Sequence, residues 1–169
     1  MITIGNYNNF ISESFLDYPD NNSLSIILYI PGCNRNCLGC HNSNLRDFQG
    51  FENLDLLIEL LIQKCKKAKT NKICLQGGDP LLLENLFITQ FILAKLSRNY
   101  DICIYTGAEI DEVKKLNLKG FKFVKCGIFD KNKFIGSLKT DQYLQFATSN
   151  QKLYDSNLNL ISENGIYYF

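Results

Sequence analysis

Tryptophan is absent from this chain of 169 residues, and methionine, histidine and proline are scarce, with one, one and three residues. An excess of charge of either sign is also lacking, because 18 basic and 17 acidic residues leave a net charge of +1. This balance gives no electrostatic basis for binding nucleic acid or an anionic membrane, so we expect neither as a partner. A run of the roughly 20 apolar residues that a membrane span needs is missing as well.

Cysteine, in contrast, is plentiful, with seven residues. The first ten residues do not show the basic and then apolar pattern of a signal peptide, so we predict a cytoplasmic protein. An odd number of cysteines in that compartment indicates reduced thiols and argues against a disulfide framework.

Short apolar runs alternate with helical patterns along the chain, which predicts an α/β fold with a parallel sheet and right-handed crossovers. The length and the apolar fraction of 46% suit one domain over residues 1–169. This is too short for an eight-stranded barrel of about 250 residues, so we expect a partial (βα) barrel or an open parallel sheet. The predicted strands span 25–30, 72–76, 101–105 and 121–125. Asn53 can cap the first predicted helix, which runs to about residue 67, and the other two predicted helices span 85–97 and 111–116.

Three further expectations concern packing. The side of the second helix predicted to be buried comprises Leu86, Phe87, Gln90, Leu93 and Ala94. Residues 145–155 are predicted to form a surface segment near the site, and residues 161–169 an edge strand. Free cysteine often serves as a small buried residue, so we assign four cysteines to the core: Cys65, Cys74, Cys103 and Cys126.

The loop after the first predicted strand carries Cys33, Cys37 and Cys40 at CxxxCxxC spacing. Thiolates are soft ligands that suit iron–sulfur clusters and zinc. A 4Fe-4S cluster usually has four cysteine ligands, so three would leave one iron open to a small molecule.

Two other motifs follow the next strands, namely Gly77-Gly78-Asp79 and Thr106-Gly107. Because the carboxyl ends of parallel strands meet at one edge of a sheet, we expect all three motifs to converge there.

The thiols also admit two other interpretations. A structural zinc site needs a fourth ligand, and the single histidine, His41, directly adjoins Cys40, so both would have to reach one metal. A redox pair of Cys37 and Cys40 would leave Cys33 unexplained.

Together, the cysteine loop and the glycine-glycine-acid turn resemble the signature of radical S-adenosylmethionine (SAM) enzymes. In that family, the three cysteines hold three irons of a 4Fe-4S cluster and the methionine part of SAM chelates the fourth. The resemblance implies Cys33, Cys37 and Cys40 as metal ligands and catalytic residues. It also implies a SAM site formed by Gly39, Cys40, His41, Gly77, Gly78 and Asp79.

Four motifs in order narrow the resemblance to the activating proteins of anaerobic ribonucleotide reductases. They are Cys37-x-Gly39-Cys40-x-Asn42, Gln76-Gly-Gly-Asp-Pro-Leu81, Tyr105-Thr-Gly107 and Ser149-Asn150-Gln151. This branch implies a flavodoxin-like electron donor and a 5′-deoxyadenosyl radical. The radical takes hydrogen from a backbone glycine on the large subunit of anaerobic ribonucleoside-triphosphate reductase. A different glycyl-radical enzyme, or a small molecule, stays open as the target.

One departure from that branch concerns an arginine. The Gly-x-Arg that often precedes the first strand is missing at residues 22–25, so its role is either absent here or supplied elsewhere, and Arg35 and Arg46 are the candidates.

Overall fold

Parallel strands form the centre of the structure, a computed structural model that describes residues 1–21 and 24–169. The strands in chain order are β1 (Ile11–Ser14), β2 (Ser25–Ile30), β3 (Lys72–Gly77), β4 (Asp101–Tyr105), β5 (Phe123–Cys126), β6 (Leu138–Lys139), β7 (Tyr143–Gln145), β8 (Lys152–Asp155) and β9 (Ile166–Tyr168). Within the described residues, six strands form one sheet in the order β1-β2-β3-β4-β5-β8. The pairs from β2 to β5 are parallel, and the outer strands β1 and β8 pair antiparallel. The predicted α/β fold with a mostly parallel sheet is confirmed, whereas the partial barrel and the single domain stay predictions.

In the described part of the chain, three α-helices connect the parallel strands: α1 (Leu54–Ala68), α2 (Leu83–Leu96) and α3 (Ile110–Lys115). The side chain of Asn53 accepts a hydrogen bond from the amide of Leu56 and caps α1, as its sequence predicts. Short 3-10 helices span Ile4–Phe10, Ser43–Leu45 and Lys131–Lys133. No helix in the described ranges is long and apolar enough to cross a membrane.

The buried side of α2 differs from the predicted one. Phe87 is 67% exposed, and the buried residues are Asn85, Ile88, Thr89, Ile92, Leu93 and Leu96. The apolar residues of α2 are distributed around most of its circumference, so their spacing does not identify one buried face. Two polar side chains are buried because they donate to loop carbonyls: Asn85 to Gly32 and Asp79, and Thr89 to Pro80.

The end of the chain folds back onto the sheet. Strands β6, β7 and β9 form a small antiparallel sheet with β9 at its edge, which confirms the edge strand near the terminus. Residues 145–155 lie near the site, as predicted, but their assignment to the surface is wrong, because Phe146, Leu153 and Tyr154 are buried. Pairing of β8 with β5 draws this segment into the core despite its polar middle.

The two faces of the main sheet have different neighbours. The largest apolar cluster joins one face to the helices. A smaller cluster of Tyr18, Ile27, Cys74 and Cys103 lies on the other face, below the carboxyl ends of the strands. The core assignment of the four cysteines outside the loop is confirmed, since all four are buried free thiols.

Candidate functional site

A cavity of about 380 Å³ lies at the carboxyl ends of β2 to β5. Its wall includes residues from the loops that follow each of these strands, so the predicted convergence of the three motifs is confirmed. The sequence-predicted residues that line it are Cys33, Cys37, Cys40, His41, Gly77, Gly78 and Asp79. Gly39, the remaining predicted site residue, is exposed and is not part of the wall.

The cysteine loop is fixed at its base by the backbone. The amide of Gly32 donates to the carbonyl of Leu45 at 2.8 Å, and the amide of Cys33 donates to that of Arg46 at 2.9 Å. Within the loop, the amide of Cys40 donates to the carbonyl of Cys37 at 3.3 Å. The cysteine side of the cavity is therefore a loop anchored to a second loop segment.

All three thiols of this loop are half-buried in the cavity wall. Burial raises the pKa of the Cys33 thiol, and the charges of Asp79 and of the other two thiols act in the same direction. Within residues 1–21 and 24–169, no three His, Cys, Asp or Glu side chains converge closely enough to hold a single metal ion. A cubane cluster has a different requirement, because each thiolate binds its own iron. Three soft donors around one cavity fit such a cluster.

The turn after β3 packs directly on the cysteine loop. The amide of Gly78 donates to the carbonyl of Ile30, and the amide of Asp79 to that of Gly32, both at 2.9 Å. A Cβ at Gly78 would lie 2.3 Å from the oxygen of Gly32, so a side chain has no room there. The amide side chain of Asn42 donates to the carbonyl of Gly77 at 3.1 Å and ties the far end of the cysteine loop to the same turn.

Asp79 joins three loops although its side chain is only 1% exposed. Its Oδ1 accepts from the Thr106 hydroxyl at 2.7 Å and from the amide of Leu81 at 3.0 Å. Its Oδ2 accepts from Arg35 Nε at 2.6 Å and from the amide of Gly107 at 3.2 Å. The carboxylate thus has four donors from this chain, so it holds the loops together. Its place in the SAM site that the resemblance implies stays a prediction.

Arg35 lies across the loop after β4. Its Nη1 contacts Glu112 of α3 at 3.2 Å, in addition to the Asp79 contact. Burial works against the guanidinium charge, but the hydrogen bonds and charges of Asp79 and Glu112 together outweigh it and raise the pKa of Arg35. A Cβ at Gly107 would lie 2.7 Å from Arg35 Cδ, which explains the glycine of the Tyr105-Thr-Gly107 motif.

Of the two arginines considered as replacements for the upstream one, Arg35 lines the cavity. Residues 22–23, part of the stretch where the Gly-x-Arg is missing, lie outside the described residues.

Gln151 and Lys125 are among the polar residues of the wall that were not assigned a role from the sequence. Gln151 accepts from the amide of Thr148 at 3.3 Å, and its neighbour Asn150 donates to the carbonyl of Ile128 at 2.9 Å. Lys125, at the carboxyl end of β5, is 9% exposed and lines the cavity. A lysine in an otherwise apolar strand is the signal that could have identified it.

Residues 22–154 match the protein family described as 4Fe-4S single cluster domain. The chain belongs to this family. The match includes the cysteine loop, the Gly-Gly-Asp turn and all four strands that border the cavity. A 4Fe-4S cluster is therefore the group that the family and the thiol set both support.

Two curated relatives resemble this 4Fe-4S domain. The anaerobic ribonucleoside-triphosphate reductase-activating protein of Escherichia coli is 28% identical over 131 residues, which cover 73% of the chain and 83% of that protein. The GTP 3′,8-cyclase of Clostridium perfringens is 29% identical over 119 residues, which cover 68% of the chain. Both relatives are radical SAM proteins, so the resemblance to that superfamily is confirmed.

The coverage of these relatives differs. The matched part of the chain spans 35% of the length of the cyclase. No solved structure gives a significant match.

Proposed function

We propose that this protein is a radical SAM activase that generates the glycyl radical on the large subunit of anaerobic ribonucleoside-triphosphate reductase. One observation carries the proposal: three thiols of one loop line the same cavity as a Gly-Gly turn that packs on that loop. The match that covers 83% of the Escherichia coli activating protein supports this choice of substrate.

In this proposal, the thiolates of Cys33, Cys37 and Cys40 hold three irons of the cluster. Gly39, Cys40 and His41 on one side, and Gly77, Gly78 and Asp79 on the other, form the SAM site. When bound, the reduced cluster supplies the electron that cleaves SAM into methionine and a 5′-deoxyadenosyl radical.

The residues of this chain orient the two halves of that site. Asp79 and Arg35 hold the cysteine loop against the loops after β3 and β4, and Asn42 holds its far end. These contacts all lie within the chain, so the fold itself holds the loops of the proposed SAM site together.

Access to the site suits a large substrate. The cysteine loop exposes 76% of Leu38, and the exposed His41 ring packs at 4.9 Å from the ring of Phe129 at the cavity. A glycine carried by another protein can approach over this loop. The proposal also includes a flavodoxin-like electron donor, a cytoplasmic location and one radical SAM domain over residues 1–169 with a partial barrel.

The decisive experiment mixes the anaerobically reconstituted protein with its cognate reductase, SAM and a reductant. We expect methionine and 5′-deoxyadenosine as products and a glycyl-radical doublet in the electron paramagnetic resonance spectrum. Cys33→Ala should abolish both signals. Cys65→Ala, which changes a buried thiol in α1, should keep both. Full cleavage by the Cys33 variant would contradict the cluster assignment.

A second candidate is a radical SAM enzyme that takes hydrogen from another substrate. The 29% identity to the GTP 3′,8-cyclase over 68% of the chain supports this second candidate. The same mixing experiment separates the two, because SAM cleavage without a glycyl doublet supports this second candidate. A colourless protein that binds zinc and does not cleave SAM would instead support the zinc or redox interpretation.

A further inference from the structure

The small antiparallel sheet has an edge that borders the cavity. Its strand order is β6-β7-β9, so β6 is an edge strand, and Ser137, the residue directly before β6, lines the cavity. The edge of a sheet presents backbone amides and carbonyls that can pair with another chain. The backbone from Ser137 to Lys139, here called the β6 edge, therefore places main-chain groups beside the candidate site.

The direction of these groups follows from the turn between β6 and β7. The amide of Thr140 donates to the carbonyl of Tyr143 at 2.9 Å, so these residues form a hydrogen-bonded pair. Such pairs alternate with non-bonded pairs along an antiparallel ladder. Lys139, opposite Leu144, is thus in a non-bonded pair, and the backbone groups of Ser137 and Lys139 point away from β7. Among the described residues, neither the amide nor the carbonyl of Ser137 has a hydrogen-bond partner.

The backbone before the β6 edge is fixed by its own hydrogen bonds. The amides of Ile135 and Gly136 both donate to the carbonyl of Ala147, at 2.9 and 3.2 Å, in the pattern of a β-bulge. Their carbonyls both accept from Gln145 Nε2 at 2.8 Å. Because this segment is held on one side by β7 and its extension, the groups of Ser137 on the other side have a defined direction.

Apolar side chains flank the β6 edge. Leu138 is 46% exposed, and Leu16 of the N-terminal segment is 54% exposed and also lines the cavity. The charge of Lys139 is turned inward, where its ammonium donates to the carbonyl of Tyr18 and is 4% exposed. Apart from the Ser137 hydroxyl, the polar groups that this edge offers are main-chain groups. Such groups bind an extended backbone by strand addition, whatever its side chains.

We propose that the β6 edge binds the backbone of the glycine-bearing segment of the large reductase subunit by adding that segment as a strand. The assignment rests on the proposed function, which makes a main-chain glycine the target of the radical. The outward groups of Ser137 and Lys139 are two residues apart, or about 7 Å, so they fit an extended segment of three or four residues. A glycine has no side chain, so its Cα can enter the cavity that Ser137 lines.

The first test measures hydrogen exchange of single amides, without oxygen, in the reconstituted protein alone and with its cognate reductase. We expect the amides of Ser137 and Lys139 to exchange roughly 10- to 100-fold more slowly with the reductase, because they become hydrogen-bonded. The matched control is the amide of Tyr168 in β9, at the opposite edge of the same sheet and outside the cavity wall. Its exchange rate should not change.

The second test removes one amide of the edge. Proline is tolerated in an edge strand where the amide faces outward, so Ser137→Pro deletes this donor. It should raise the reductase concentration that half-saturates glycyl-radical formation roughly 3- to 10-fold, the usual effect of one lost hydrogen bond. Tyr168→Pro makes the same change at the opposite edge, and its half-saturating concentration should match that of the wild type.

Four outcomes overturn the assignment. Unchanged exchange at Ser137 and Lys139 while the glycyl radical forms would place the segment elsewhere, and the proposed function would stand. Slower exchange in the protein alone, increasing with its own concentration, would assign the β6 edge to a second copy of the chain. An equal loss of SAM cleavage without reductase in Ser137→Pro would indicate a structural role only. SAM cleavage by the wild type without a glycyl radical on the reductase would overturn the proposed function, and this assignment with it.

Discussion

Asp79 is the residue on which the geometry of the candidate site depends most. Its four hydrogen bonds join the cysteine loop, its own turn and the loop after β4. Its sequence neighbours predict a turn that approaches a ligand. The partners of its carboxylate follow from the fold, because Arg35 and Thr106 lie 44 and 27 residues away along the chain.

Arg35→Met should destabilise the metal-free protein by about 3 kcal/mol, because it leaves the buried Asp79 carboxylate without its cation. Urea denaturation under reducing conditions measures this free energy of unfolding. Replacing Asp79 by Asn in the same chain should recover part of the loss, since the unpaired charge is then gone.

Lys122→Met is the matched control for Arg35. This variant breaks the ion pair between Lys122 and Asp101, whose side chains are 51% and 32% exposed, respectively. We therefore expect the free energy of unfolding to fall by less than about 1 kcal/mol. Equal losses for the Arg35 and Lys122 variants would contradict the structural role of the Arg35–Asp79 pair.

At the scale of elements, the site depends on how closely the turn after β3 approaches the loop after β2. Gly78→Ala should cost about 3 kcal/mol, because its Cβ would meet backbone of Gly32 that cannot move independently of the sheet. The melting temperature and the iron bound after reconstitution measure the effect. Gly50→Ala is the control, since nothing lies within 4 Å of a Cβ there. A fully stable Gly78→Ala protein would contradict the close packing of the two loops.

Strand β6 is tied to the N-terminal segment by Lys139, whose ammonium donates to the carbonyl of Tyr18 at 2.9 Å. Burial lowers the pKa of Lys139 from 10.5 to about 8, and the nearby Lys72 adds to the shift while Asp17 opposes it. The Lys139 ammonium also lies 3.8 Å from a carboxylate oxygen of Asp20 and 5.9 Å from the centre of the Phe169 ring.

Between pH 8 and 10.5, the unfolded chain therefore binds more protons at Lys139 than the folded chain does. Lys139 therefore contributes a rise in the free energy of unfolding with pH through this window, whereas the buried thiols of Cys65 and Cys126, whose pKa burial raises to about 12, contribute a fall. The stability of the wild type relative to Lys139→Met should rise from pH 8 to 10.5, and its stability relative to the exposed Lys152→Met should stay constant, as measured by urea denaturation at several pH values. Parallel profiles for the wild type and Lys139→Met would contradict the shifted pKa.

Sequence patterns predicted the bounds of the strands and helices better than they predicted which residues these elements bury and contact. Strands β2 and β4 have their predicted bounds because apolar runs with clear breaks define them. Helix α1 begins at its predicted cap for the same local reason. The buried face of α2 and the burial of β8 depend on partners far along the chain, which local spacing does not contain. Lys125 was missed because its importance comes from the cavity around it.

For the whole molecule, the structure divides the seven cysteines into two classes. Three are half-buried around the cavity, and the other four are buried in the core. In the metal-free protein, a thiol reagent such as DTNB should modify three cysteines fast and four only as fast as the chain unfolds. Reconstitution with iron and sulfide should protect those three. Mass spectrometry of the labelled peptides checks this, and a fourth fast thiol would contradict the division.

The order of the cavity wall along the chain has a consequence for biosynthesis. The cysteine loop, the Gly-Gly turn and the loop after β4 are all present once Gly107 has been made, whereas the remaining wall extends to Gln151. At about 5–20 residues per second, translation needs roughly 2–9 seconds for the intervening stretch. During those seconds the nascent chain carries its three thiols in an unfinished pocket. The three thiols therefore meet oxygen and metals at the ribosome before the wall that half-buries them is complete.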